Sequence, residues 1–177
     1  MKVVIEYILD MLPCMFITIP IFLFIRFIIN RNKKINIKRE ILLLIFYLFL
    51  VGLLSQAVIP KFDSNMNLIV SKKRYNFIPF RIVYDTVIEY KKGNIYYLII
   101  SLIGNIVMFI PIGFFIKLLW NCSDKKVVIH GFFISLFIEL TQIFIGRETD
   151  IDDLILNTLG AFIGLMIYKI ICKYKDK

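Results

Sequence analysis

The sequence predicts an all-α polytopic membrane protein, with about five transmembrane helices and a short amphipathic helix in an outer loop. Three observations predict it. Of 177 residues, 59% are hydrophobic, above the roughly 45–50% of a soluble domain. Mean hydropathy is +0.80. Five apolar segments, at 8–29, 41–59, 95–120, 127–145 and 152–172, stand out, each close to the ~20 residues a helix needs to cross a bilayer. The length fits one domain, so 1–177 is expected to be a single membrane domain. Aromatic content excludes a disordered chain, and three cysteines exclude a disulfide scaffold.

The first segment reads as a retained helix. Lys2 is its one early positive charge, Glu6 and Asp10 follow, and basic residues rather than small ones come after the apolar run. Charge then orients the chain. The net charge is +9, which in a soluble protein would suggest nucleic acid; here it fits the positive-inside rule, and no nucleic-acid partner is expected. Arg31, Lys33, Lys34, Lys38 and Arg39 follow the first helix, Lys117, Lys125 and Lys126 lie around the turn after the third, and Lys169, Lys173, Lys175 and Lys177 end the chain. These ends share one side of a five-helix chain. The expectation is a bacterial cytoplasmic membrane protein with its N-terminus outside and its C-terminus cytoplasmic, and with the lipid bilayer as partner.

The loop 60–94 is too long for a plain connection. Phe80, Val83, Tyr84, Val87 and Ile88 recur at helical spacing, with Arg81, Asp85, Glu89 and Lys92 opposite. Pro79 suits a first turn and Gly93 a stop, so 79–92 is expected to form an amphipathic helix on the outer interface. Before it, 67–70 and 74–78 flank a polar turn and are expected to pair as a short hairpin.

Polar residues inside apolar segments mark the candidate site, because each ionisable group there costs roughly 2.5–3.5 kcal/mol on insertion scales. Glu139 lies six residues before the outer end of the fourth segment, ~9 Å deep, with Gln142 on the same face. Asn105 lies in the third segment and Asn157 in the fifth. All four fall in the outer half of the expected bundle. Arg147, Asp150, Asp153 and Asn157 are spaced three, three and four, and Gly160 and Gly164 below them allow a close helix approach. Simpler readings run alongside. Thr149 and Asp152 make a capping-box-like pair, and the aspartates favour a helix N-terminus electrostatically. Glu139 is a candidate partner for Arg147 or Arg81, and Asn105 and Gln142 are candidate interhelical bonders. Pro111 is expected to kink the third helix, and His130 to have no ligand role.

In chemical terms, Glu139 with Asp150 and Asp153 offers oxygen ligands to Mg²⁺ or Ca²⁺, although the spacing matches no EF-hand loop. No cofactor is required by the sequence. A desolvated Glu139 suits general acid–base work, and Arg147 and Arg81 suit a phosphate or carboxylate. No nucleophile elbow, P-loop, dinucleotide fingerprint, zinc motif or kinase signature is present.

At these residues the chain resembles the VanZ-like family of bacterial membrane proteins. Three stretches carry the likeness: Asn76-Phe77-Ile78-Pro79-Phe80; Gly104-Asn105-Ile106-Val107-Met108-Phe109-Ile110-Pro111-Ile112-Gly113; and the run from Glu139 through Gln142, Arg147, Asp150 and Asp153 to Asn157-Thr158-Leu159-Gly160 and Gly164. They span about 40–172. Asp152 and Glu148 stand outside the pattern. The resemblance implies an accessory role in resistance to teicoplanin, a lipid-tailed glycopeptide, by a route separate from remodelling the peptidoglycan precursor terminus. It implies no known reaction, so whether the protein is an enzyme stays open. Three functions follow. The first is an envelope accessory protein whose outer polar cleft binds a lipid-linked cell-wall component or the glycopeptide's target environment. The second is a membrane enzyme acting on an envelope lipid or glycan headgroup, with Glu139 and Asp153 as catalytic candidates and Arg147 as anion clamp. The third is an assembly partner without a ligand. The ligand-binding candidates are Asn76, Arg81, Asn105, Gln142, Arg147, Asp150 and Asn157.

Overall fold

Six helices dominate a computed structural model of the chain, which describes residues 2–58, 75–94 and 98–175. Five of the helices are long and apolar enough to cross a membrane. The chain divides into two compact units, residues 1–59 and 60–177.

The first unit is an antiparallel pair. Helix α1 (Lys2–Asn30) and helix α2 (Ile37–Val58) are joined by the short basic turn 31–36. Two prolines, Pro13 and Pro20, lie inside α1. Three contacts hold the pair. The Arg26 guanidinium donates to Glu40 at 2.7 Å. The Tyr47 hydroxyl donates to the Thr18 carbonyl at 3.1 Å. The Tyr47 ring also stacks on Phe22, with centroids 4.6 Å apart. Between them Gly52 lets α2 approach Met11 and Met15.

The second unit carries the candidate site. A two-residue strand β1 (Tyr75–Asn76) leads into helix α3 (Arg81–Lys91). A π-helical turn, Leu98–Ile103, runs into helix α4 (Gly104–Trp120), followed by helix α5 (Asp124–Phe144). Strand β2 (Thr149–Asp150) then enters helix α6 (Ile151–Lys175). Helix α4 packs most extensively on α6, and α5 also lies against α6. Small residues make this possible. A methyl group at Gly160 would run into the Ile106 carbonyl oxygen, one at Gly164 into that of Ile110, and one at Gly113 into that of Ala161. The close approach expected of Gly160 and Gly164 is therefore realised against α4. With no hydrophobic force between helices in lipid, such van der Waals contact drives their association. Phe109, Ile112, Ala161 and Leu165 form its buried centre.

Two expectations change. Residues 67–70 and 74, half of the expected hairpin, lie outside the described residues. Tyr75 and Asn76 pair instead in parallel with Thr149 and Asp150, across more than seventy residues. The reason is tertiary: docking α3 beside the entry to α6 brings two short extended segments side by side, which local turn chemistry does not reveal. The outer-loop helix is Arg81–Lys91 rather than 79–92, because Pro79 and Phe80 form a turn in which Phe80 adopts φ 64°. Its stop is as expected: Gly93 takes φ 80°, and its N–H donates to the Tyr90 carbonyl at 2.9 Å. Ile82 and Thr86 are the buried residues of α3, while Val83, Tyr84 and Val87 are exposed. The broad apolar face thus looks away from the unit, as suits a helix lying in a membrane interface.

Candidate functional site

The site is built where α3, β1, β2, the start of α4, the end of α5 and the start of α6 converge. Glu139, near the end of α5, is 6% exposed. Its Oε2 accepts the Asp150 backbone N–H at 3.1 Å. The Asp150 carboxylate accepts from the Asn76 amide at 2.8 Å and from the Asp152 N–H at 2.9 Å. Asn76 in turn accepts the Ile78 N–H at 3.1 Å. So the parallel strand pair is closed by side chains as well as by backbone.

In the first turn of α6, Asp153 accepts a hydrogen bond from the Asn105 amide of α4. Asn105 follows directly on the π-helical turn, where the wider coil sets it at the mouth of α4; such turns recur at functional sites. One turn deeper, the Asn157 amide donates to the Ser135 hydroxyl of α5 at 2.9 Å. The Asn157 carbonyl oxygen is buried and has no hydrogen-bond partner. The Asn105–Asp153 and Ser135–Asn157 bonds therefore form a two-rung polar ladder along α6, and Glu139 joins it through the Asp150 N–H.

Asp152, which the sequence pattern set aside, proves central. It is 1% exposed. Its two carboxylate oxygens accept the Phe80 N–H at 2.5 Å and the Ile82 N–H at 2.7 Å. The carboxylate of one helix thus caps the N-terminus of another, where orphan amides and the helix dipole both favour an anion. The capping-box reading of Thr149 and Asp152 is corrected: the Asp152 carboxylate serves α3, and the Thr149 hydroxyl reaches the Glu139 carbonyl at 3.5 Å. A pattern confined to neighbouring residues misses this role, because the partner lies seventy residues away.

The remaining candidates lie at the margin. Arg81 is about half exposed and pairs with Asp85 at 3.5 Å; its charge acts on Asp150. Arg147 is half-buried, and its N–H donates to the Gln142 carbonyl at 2.9 Å. Asp150 lies just outside the membrane-spanning segments. Burial pushes its carboxyl above the ordinary aspartate value, while the Asp152 N–H and the Asn76 amide pull it back. Among the described residues, no three His, Cys, Asp or Glu side chains are placed to hold a metal ion. The Mg²⁺ or Ca²⁺ reading of Glu139, Asp150 and Asp153 therefore gains nothing from the geometry: the carboxylates turn to amide N–H groups instead. His130 is exposed, and its Nδ1 lies 2.5 Å from the Lys126 carbonyl. Cys14, Cys122 and Cys172 are free thiols.

A family model described as VanZ/LLP1 matches residues 40–172. The chain belongs to the VanZ/LLP1 family. The match takes in α2 and every element of the site. Protein VanZ of Enterococcus faecium is 37% identical over 83 residues, covering 44% of this VanZ/LLP1 chain. The chain spans about half, 49%, of that curated relative's length. No solved structure matches the chain.

Proposed function

We propose that this VanZ/LLP1 protein is an envelope accessory factor of the bacterial cytoplasmic membrane that lowers teicoplanin's effect by binding a lipid-linked cell-wall component. The N-terminus lies outside and the C-terminus in the cytoplasm, because a five-span chain brings its lysine-rich ends to one side, the cytoplasmic one. The polar ladder then opens to the outer leaflet, where lipid-linked precursors and the drug meet. The observation that carries the reading is the convergence of Asn76, Asn105, Glu139, Asp150, Asp153 and Asn157 at one end of the second unit, with the Asn157 carbonyl left unpartnered. Buried polar groups in a membrane protein are costly, and a cluster with spare acceptor capacity suits a hydroxyl- or amide-bearing ligand. Arg81 and Arg147 at the margin suit its phosphate.

A second reading is a membrane enzyme acting on a lipid-linked headgroup, favoured by the two carboxyls Glu139 and Asp153 that join the same hydrogen-bonded network. Two partly or fully buried carboxyls in one polar network suit acid–base chemistry.

The test is teicoplanin and vancomycin susceptibility of a Gram-positive host carrying empty vector, wild type, Glu139→Gln or Asp153→Asn, with membrane levels quantified. Wild type should raise teicoplanin tolerance, and both variants should lose it at normal protein levels. Unchanged susceptibility with well-expressed wild type would reject the resistance role.

A further inference from the structure

At the opposite end of the second unit from the polar ladder, α5 and α6 leave a groove of about 460 Å³. Val128 and Ile129 of α5 and Phe162 and Met166 of α6 form its apolar walls, over the buried Leu165. Asp124 and Lys125 stand at its mouth. From Lys169 down to Phe162 is seven helical residues, a depth of roughly 10 Å. That is the scale of the first half of an acyl chain. Its apolar lining suits an acyl chain rather than a headgroup.

The mouth is strongly basic. Lys117 and Lys169 both reach Asp124, the former at 3.2 Å, and together they outweigh its charge. Lys125 and Lys126, in the first turn of α5, are exposed and make no ion pair among the described residues. Ser123 makes no side-chain bond to that turn. Trp120, half exposed at the end of α4, marks the same level as the membrane–water boundary. An apolar slot between spanning helices, opening under a cluster of lysines at headgroup depth, fits a lipid with an anionic phosphate head.

We propose that this groove is a binding site for an anionic phospholipid, with one acyl chain between α5 and α6 and the phosphate held by Lys125 and Lys126. The site is separate from the polar ladder and does not depend on the function proposed for it. Charge complementarity selects the occupant, since a zwitterionic lipid brings its own cation toward the lysines.

The test uses the full chain purified in a neutral detergent. Native mass spectrometry and thermal melting are read with added phosphatidylglycerol or phosphatidylcholine of identical acyl chains. Phosphatidylglycerol should bind on the order of ten-fold more tightly, since each lysine near a surface phosphate contributes roughly 1 kcal/mol. It should raise the melting temperature where phosphatidylcholine does not. Lys125→Gln with Lys126→Gln should abolish the preference, while Lys33→Gln with Lys34→Gln, a charge-matched control, should keep it. Val128→Trp, which fills the slot, should reduce binding of both lipids. Equal affinity for the two lipids would overturn the proposal. So would a preference that survives the double change at Lys125 and Lys126, or one lost equally in the control.

Discussion

The two ends of the second unit handle charge in opposite ways. At the end formed by α3, β1, β2, the end of α5 and the start of α6, four carboxylates are at least half-buried and their partners are backbone N–H groups and side-chain amides. At the end where α4 stops and α5 starts, Asp124 sits between two lysines, each partner partly exposed. The second arrangement costs little, because water still solvates the ions. The first is expensive, because neutral donors must replace the hydration of an anion. A chain that maintains the costly arrangement within spanning helices does so either to hold its architecture or to present a site. The contacts separate the two uses: Asp152 spends both oxygens on α3, whereas the buried Asn157 carbonyl of the polar ladder has no partner.

The contrast can be broken most severely at Asp152. Replacing it by alanine leaves the Phe80 and Ile82 amides without acceptors in a buried place. Asp152→Ala should cost about 2–4 kcal/mol, seen as a lower midpoint in denaturant and as faster proteolysis around 77–81. Asp152→Asn retains one acceptor oxygen and should lose less. Equal losses in both would mean that the negative charge, not the hydrogen bonds, holds α3.

Between the two ends, the packing of α4 on α6 sets the spacing of both. Gly164→Leu would drive a side chain into the Ile110 carbonyl. A cost of about 1–3 kcal/mol is expected from such overpacking, with a lower melting temperature as the readout. Unchanged melting would show that the helices separate without loss.

At the lysine end, Asp124→Asn should leave the denaturation midpoint nearly unchanged, as for other exposed pairs. A larger loss would show that the lysine cluster repels itself strongly without its aspartate.

The smallest effect is a pH dependence. Asp150 binds its proton more tightly in the folded protein than in the unfolded chain, since burial raises its carboxyl. Its contribution is therefore fully present below the unfolded value, about 3.9, and is lost as pH rises through the raised folded value. Asp150→Asn keeps an acceptor for Asn76 and for the Asp152 N–H but cannot ionise. The melting temperature of Asp150→Asn minus that of wild type should increase with pH across this window and then level off. A difference that falls with pH would mean that the two hydrogen bonds outweigh burial.

Much of the site was legible without coordinates, for a physical reason. Glu139, Asn105 and Asn157 interrupt apolar runs, and polar groups there are too costly to be incidental. Asp153 and Asn157 follow the helical period, so their common face could be read from spacing alone, whereas Asp150 belongs to strand β2. The glycines at 160 and 164 announced a close helix contact, and Gly93 announced a helix end. Pairing across distance was not legible. The run around Asn76 was expected to find its strand partner nearby, yet it pairs with Thr149 and Asp150. Asp152 looked like an ordinary helix-start residue, and its service to α3 appears only when the two elements meet.

By itself, the sequence determined the number of spanning helices, the amphipathic helix between the second and third of them and the positions of the polar residues. Hydropathy and helical period are local, and a bilayer obliges each spanning segment to satisfy its own backbone. The tertiary structure alone decided which carboxylate meets which amide: Asp152 with α3, Asp150 with Asn76, Asp153 with Asn105. Those bonds join residues some fifty to seventy positions apart, and their geometry comes from how α4, α5 and α6 pack, which no local pattern encodes.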